Sequence, residues 1–245
     1  MRDKMTKILD GKIILVTGAS RGIGRAVALA CAEAGAELII SARTLAGLEE
    51  LDDEIKAVGG KSTIVEMDAM DFEAIPRLAA AIYQRWGRLD GFVANAGQLG
   101  QIAPTAHIDA DVWERTLNVN LTSVWHQARA FDPLLRQSEA GRVVLVSSGV
   151  AHSSKAFTGA YAVSKAGLEA MGRVWAAESQ KTNMKINMIN PGGTATAMRA
   201  AYYPGEDPSV LPTPADIAPL FVEMLSTDFT EQGALIQARD WLANA

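Results

Sequence analysis

The chain has 245 residues, 49% of them hydrophobic and 21% charged, with a formal net charge of −5. That length can bury roughly 70–75% of its unfolded surface, and the composition excludes a disordered, collagen-like or low-complexity chain. The single cysteine, Cys31, excludes a disulfide framework and a cysteine-cluster zinc site, while the mixed, mildly acidic charge argues against non-specific nucleic-acid binding.

Short apolar runs alternate with longer helical patterns along the chain. A strand is predicted over 13–16, a loop over 18–24 and a helix over 23–34, which Gly35 ends. A second strand follows at 37–40, then a helix over 45–58 that stops at Gly59 and Gly60. The third strand is 62–65. Asp71 is read as the cap of a helix reaching Trp86, with Pro76 near its start, where proline costs least. The fourth strand is 89–94, and one long helix is predicted from about 109 to 137. Strand 143–146, helix 157–181, strand 185–189, helix 214–225 and a last short strand at 234–236 complete the order. Strict strand–helix alternation with apolar, non-alternating strands predicts a parallel sheet covered on both faces. Right-handed crossovers then favour an α/β doubly wound sheet of about seven strands. One domain is expected over 1–245, because no repeat, linker or composition break divides it. The least regular stretch, 193–212, contains Tyr202, Tyr203, Pro204 and Pro208. It is expected to be a substrate loop that orders over a ligand.

No targeting segment is expected. The charged start, Met1 to Lys7, precedes no long apolar run. The most apolar stretch, 26–42, carries Glu33, Gly35 and Glu37, and is too short and too charged to span a bilayer. A cytoplasmic protein without a membrane partner is the expectation. The three histidines, His107, His126 and His152, lie too far apart for a local metal motif, so no metal is expected.

Thr17-Gly-Ala-Ser-Arg-Gly-Ile-Gly24 follows a strand and opens a helix. Gly18 suits a tight turn, Gly22 lets a pyrophosphate approach the backbone, and Gly24 lets helix and strand pack closely. This is the context of a dinucleotide site, although such loops also serve as plain turns. An acid ending the second strand would bind a ribose 2′-hydroxyl. This strand ends Ile40-Ser-Ala-Arg43 instead. Arg43 can pair with a 2′-phosphate, and Arg21 can add a second charge. NADP(H) is therefore favoured over NAD(H).

Tyr161-Ala-Val-Ser-Lys165 places a phenol and an ammonium on one helix face. A free tyrosine titrates near ~10. A close ammonium favours the phenolate, and a shift of about 3 pH units corresponds to about 4 kcal/mol. Ser147 and Ser148 lie at the carboxyl end of the fifth strand, and Asn95-Ala-Gly97 ends the fourth, where open α/β sheets bind ligands.

Together with Asn118-Val-Asn120 and Asn190-Pro-Gly192, these motifs resemble the classical short-chain dehydrogenase/reductase family over about 11–225, in the family's order and spacing. The 190–198 segment and Thr213-Pro-Ala-Asp-Ile217 look like that family's bacterial YciK-type subgroup. The resemblance implies a set of roles. The family's serine stands thirteen residues before its tyrosine, which selects Ser148 over Ser147. Tyr161 would be general acid or base, and Ser148 would orient the substrate oxygen. Lys165 would depress the tyrosine pKa and hold the nicotinamide ribose, while Asn120 would support a water beside it. Cofactor contacts would come from Gly18, Ser20, Arg21, Gly22, Ile23, Gly24 and Arg43. Asp68 and Ala69 would lie near the adenine, with Asn95, Ala96 and Gly97 along the adenosine. Pro191, Gly192, Thr194 and Thr196 would meet the nicotinamide and phosphates, beside Tyr161 and Lys165. The implied partners are a small carbonyl or alcohol substrate and further copies of the chain, as a homodimer or homotetramer. The tail departs from the family: Gln237-Ala-Arg-Asp240 stands where many members carry Val-Asp-Gly-Gly.

Two rival functions bear on these residues. A 3-oxoacyl-thioester reductase would favour a basic site mouth, whereas 194–211 offers only Arg199 against Glu206 and Asp207. A non-catalytic dinucleotide-sensing protein would be expected to lose the tyrosine or the lysine, and both are present. His152 is read as a loop histidine rather than a substrate contact, and Cys31 as a small apolar helix residue.

Overall fold

Seven apolar runs form the strands β1 (Ile13–Thr17), β2 (Glu37–Ala42), β3 (Lys61–Glu66), β4 (Gly91–Ala94), β5 (Arg142–Val146), β6 (Lys185–Asn190) and β7 (Leu235–Gln237). The computed structural model describes residues 7–244. All strands are parallel, in the order β3-β2-β1-β4-β5-β6-β7. The order reverses between β1 and β4, so their carboxyl ends open a crevice where ligands bind in doubly wound sheets.

Every residue of β1, β4 and β5 is buried, as coverage of both faces requires. Successive side chains point to opposite faces. Ile14, Val16, Leu38 and Ile40 pack under α1 (Gly22–Glu33), α2 (Leu45–Ala57) and the late helix Pro214–Leu225. Ile13, Leu15, Ile39 and Phe92 face the other layer, which includes α3 (Ala74–Trp86) and the helices Ser123–Leu135 and Gly159–Glu178.

The predicted helix over 109–137 is three pieces: α4 (Ala110–Leu117), one π-helical turn (Asn118–Thr122) and α5 (Ser123–Leu135). The Ser123 hydroxyl donates to the Val119 carbonyl at 2.7 Å, a local bond that competes with regular helix geometry. The π turn carries Asn120, and such bulges recur at functional sites.

Other boundaries also differ from expectation. Asp71 makes a turn onto the Ala74 N–H at 2.9 Å, but Glu73 occupies the cap position of α3. A short α6 (Val150–Ser153) precedes α7 (Gly159–Glu178). The 193–212 stretch is less irregular than its composition implies. It forms α8 (Ala197–Tyr202), capped by Thr196, and a 3-10 turn at Pro208–Val210. Thr213 and Asp216 form a reciprocal capping box at the start of α9 (Pro214–Leu225). The tail closes as α10 (Ala238–Leu242). Among the described residues, no helix is long and apolar enough to cross a membrane.

Candidate active site

The crevice is set by contacts between β1 and β4. The Thr17 hydroxyl donates to the Val93 carbonyl at 3.2 Å and accepts from the Asn95 and Ala96 N–H groups at 3.1 and 3.2 Å. The Asn95 side-chain amide donates to the Thr17 and Gly18 carbonyls at 2.9 and 3.2 Å. Gly18 has φ +65°, and a Cβ there would lie 2.9 Å from the Ala96 Cα. A Cβ on Gly24 would strike both the Gly18 carbonyl and the Asn95 amide. Gly24 therefore lies behind the loop and permits its close packing, rather than lining the cavity.

A continuous cavity of about 1000 Å³ runs along the carboxyl edge of the sheet. At one end it is lined by Gly18, Ser20, Arg21, Gly22 and Ile23 from the loop, and by Arg43, Asp68 and Ala69 from the segments that follow β2 and β3. Arg43 stands 4.0 Å from the Asp68 carboxylate with both side chains partly exposed, a weak pairing in water. Asp68 also accepts from the Met70 N–H at 2.9 Å. Asn95, Ala96 and Gly97 line the middle, followed by Pro191, Gly192, Thr194 and Thr196. Thr194 is buried and its hydroxyl donates to the Pro191 carbonyl at 3.1 Å. The Thr196 hydroxyl accepts from the Arg199 N–H at 3.1 Å and so starts α8.

The other end holds Ser148, Tyr161 and Lys165. Lys165 is 3% exposed, and its ammonium donates to the Val146 carbonyl at 2.7 Å, at the end of β5. Burial pushes its pKa down to about 8. The ammonium stands 5.9 Å from the Tyr161 ring centre. Burial raises the Tyr161 phenol above the usual tyrosine range; the Ser148 hydroxyl opposes that shift and Tyr202 adds to it. The expected depression of this phenol by Lys165 is thus not what the geometry produces, because desolvation dominates and the ammonium is turned onto a carbonyl.

Asn120 is fully buried and does not line the cavity. Its carbonyl oxygen accepts from the Gln98 N–H at 2.8 Å, and its amide donates to the Gln98 carbonyl at 2.9 Å and the Ser164 hydroxyl at 3.0 Å. Ser164 in turn donates to the Tyr161 carbonyl at 2.8 Å. Asn120 therefore braces the loop after β4 against the helix that carries Tyr161 and Lys165. Ser147 points away from the cavity chemistry: its hydroxyl donates to the buried Glu169 carboxylate at 2.5 Å. The same carboxylate takes His152 at 2.7 Å and Arg173 at 2.8 Å. His152 is thereby kept out of the cavity lining, although it sits in the short helix α6 rather than in a loop. Cys31 is buried in α1, where burial pushes its thiol up to about 12, so it is no nucleophile.

A family model described as short chain dehydrogenase matches residues 12–207. The chain belongs to the short-chain dehydrogenase family. It is 40% identical to the oxidoreductase YciK of Escherichia coli (strain K12) over 224 residues, which is 90% of this chain and 88% of that one. A short-chain dehydrogenase structure from Salmonella enterica serovar Typhi CT18 superposes with a TM-score of 0.93 at 38% identity, covering 96% of this chain and 98% of that one. Another, from Escherichia coli CFT073 and crystallised with NADPH, gives 0.90 at 39% identity over 95% and 98%. The short-chain dehydrogenase motifs thus converge on one cavity, with Gly24 and Asn120 immediately behind it.

Spacing did not reveal Thr17, Gln98, Lys155 or Met198. Thr17 and Met198 stand at the ends of recognised motifs without a role assigned to them, and Lys155 carries no motif. Burial of Lys165 has a measurable consequence. With a pKa of about 8 in the fold against 10.5 in the unfolded chain, the unfolded state binds more protons across that window. Stability then rises with pH from about 8 to 10.5. Relative to Lys165→Met, the wild type should gain on the order of 3 kcal/mol between pH 7 and pH 10.5, read by denaturant unfolding. A wild-type–variant difference flat with pH contradicts the buried ammonium.

Proposed function

We propose that the chain is an NADP(H)-dependent reductase that passes a hydride between nicotinamide and a carbonyl or secondary alcohol. The observation that carries this reading is one cavity with Arg21 and Arg43 at one end and Ser148, Tyr161 and Lys165 at the other. The residues fit a dinucleotide. Free N–H groups open α1 behind a glycine loop, the space is ample, and a buried ammonium faces no carboxylate. The NADPH-bound relative supports the same cofactor.

Gly18, Ser20, Gly22 and Ile23 would hold the pyrophosphate, with Gly24 allowing the loop to close on it. Arg21 and Arg43 would take the 2′-phosphate, Asp68 and Ala69 would flank the adenine, and Asn95, Ala96 and Gly97 would flank the adenosine. Pro191, Gly192, Thr194 and Thr196 would seat the nicotinamide end. When bound, the cofactor supplies or accepts the hydride.

Ser148 donates a hydrogen bond to the carbonyl oxygen, and Tyr161 gives that oxygen its proton. A phenol held neutral by burial is a proton donor in the reductive direction. The Lys165 ammonium, 5.9 Å from the Tyr161 ring centre and held on the Val146 carbonyl, adds only a background positive field for the phenolate left behind. Its bond to Val146 makes it a fixed charge, ready for a ribose hydroxyl. Asn120 acts as a positioning residue through Gln98 and Ser164. The 193–212 segment is proposed as the substrate loop of a single 1–245 domain. Exposed Trp125, Val163 and Val174 on α5 and α7 support association into a homodimer or homotetramer, and a cytoplasmic location fits the same reading.

Two outcomes test this. Arg43→Ala should weaken NADPH about tenfold or more and leave NADH nearly unchanged, from the lost charged hydrogen bond. Equal weakening of both, measured by fluorescence titration, counts against the 2′-phosphate role. Tyr161→Phe should lower turnover 10²–10⁴-fold while NADPH binding and thermal melting stay close to wild type. Near-wild-type turnover in that variant contradicts the mechanism.

A further inference from the structure

The substrate end of the cavity has a wall that the hydride-transfer reading leaves unused. It is built by α8. The Met198 sulfur lies 3.9 Å from the Tyr161 hydroxyl. Tyr202 stands at i+4 from Met198, on the same helix face. Its hydroxyl is buried without a hydrogen-bond partner among the described residues, and burial holds it above the usual tyrosine range, so it is a donor waiting for an acceptor.

Lys155 reaches the same wall from the loop between α6 and α7. Its ammonium hydrogen-bonds the Tyr203 hydroxyl and lies 4.1 Å from the Tyr203 ring centre and 5.5 Å from that of Tyr202. The backbone that presents it is strained on both sides. Ser154 has φ +46° and Phe157 has φ +70°, both left-handed without being glycine. Such conformations persist where surrounding structure holds them, and they cluster at ligand clamps.

The charges at this end do not cancel. Arg199 also lines the cavity, but two hydrogen bonds commit it to Glu206. Lys155 makes no salt bridge among the described residues; Glu206 feels its charge from beyond contact distance but is itself bonded to Arg199, so two cations face one acid here. Asp68 is the one carboxylate that lines the cavity among the described residues, and it sits at the opposite end beside Arg43. An ammonium and a neutral phenol converging on one space match a singly charged acceptor with two oxygens.

We propose that the substrate is a carbonyl compound, or the corresponding alcohol, that carries a carboxylate held by Lys155 and Tyr202 while its carbonyl faces Tyr161. The proposal rests on the reductase reading and adds the substrate's charge to it. Met198 and Tyr202 are separated by about one helical turn, roughly 5.4 Å. With Met198 against the Tyr161 hydroxyl and Tyr202 one turn on, carbonyl and carboxylate belong at separate points of the substrate, as across an aromatic ring or a short chain. Lys155 is a specificity-determining residue on this account.

The test compares 4-carboxybenzaldehyde with its neutral methyl ester, methyl 4-formylbenzoate, as NADPH-dependent substrates. Wild type should favour the acid about tenfold or more in kcat/KM, mainly through KM, the scale of one charged hydrogen bond. Lys155→Met should collapse that ratio towards unity, and Lys155→Arg should restore most of it. Tyr202→Phe should lower it several-fold. An acid that is not preferred by wild type overturns the proposal, as does a preference that survives Lys155→Met. If neither aldehyde is reduced, these probes give the reductase reading no support, and the carboxylate subsite is read by binding alone. Calorimetric binding of 4-carboxybenzaldehyde to the enzyme–NADPH complex then decides this one. Binding that Lys155→Met abolishes upholds it, and absent or Lys155-independent binding overturns it.

Discussion

One junction organises the molecule: the hydrogen-bonded clamp between the carboxyl ends of β1 and β4. Thr17 and Asn95 share two bonds there, the Ala96 N–H adds a third onto the Thr17 hydroxyl, and the Asn95 amide reaches the Gly18 carbonyl as well. The sheet order reverses at this point, so helices leave on opposite faces and the crevice opens between them. The clamp fixes the glycine loop from behind. Gly18 and Gly24 leave room for it, since a side chain on either would collide with Asn95 or its neighbours. The free N–H groups of α1 are then presented outward rather than into the core.

A second chain of contacts carries this order to the chemistry. The loop after β4 passes through Gln98 to Asn120, then through Ser164 to the backbone of Tyr161. Lys165 sits one turn further along α7 and is anchored to the end of β5. A buried ammonium is unfavourable when unpaired, and a single carbonyl only partly satisfies its three donors. The site therefore keeps a desolvated positive charge beside a neutral phenol. That arrangement suits proton donation, because charge left on the phenolate meets a cation already in place and needs little reorganisation.

The sheet and most helices were legible because their signals are local. Buried runs such as 13–16 and 143–146 permit only a parallel strand, and Gly18, Gly22 and Gly24 mark the turn that follows. The Tyr161–Lys165 pair shows as a helical spacing that is weak by itself, and only the family resemblance selects Ser148 over Ser147. What stayed hidden depends on tertiary contacts. The π turn at Asn120 has no period in the sequence, and helical spacing predicted one helix through it. Asn95 reads as a cofactor contact, yet its amide is spent on the glycine loop. Lys155 lines the cavity from a segment in which Ser154 and Phe157 take left-handed backbone conformations, a choice that no residue type there announces. The Tyr161 pKa runs opposite to expectation because burial of the phenol outweighs an ammonium engaged elsewhere.

The clamp is the claim on which the rest depends, and Asn95→Ala tests it most directly. The substitution removes two hydrogen bonds to the loop carbonyls, each contributing about 0.5–1.5 kcal/mol. Steady-state kinetics over a range of NADPH concentrations should show KM for NADPH raised roughly 5–100-fold, with kcat at saturating cofactor retained. Lost kcat with an unchanged KM for NADPH would place Asn95 in the chemistry instead and contradict the account.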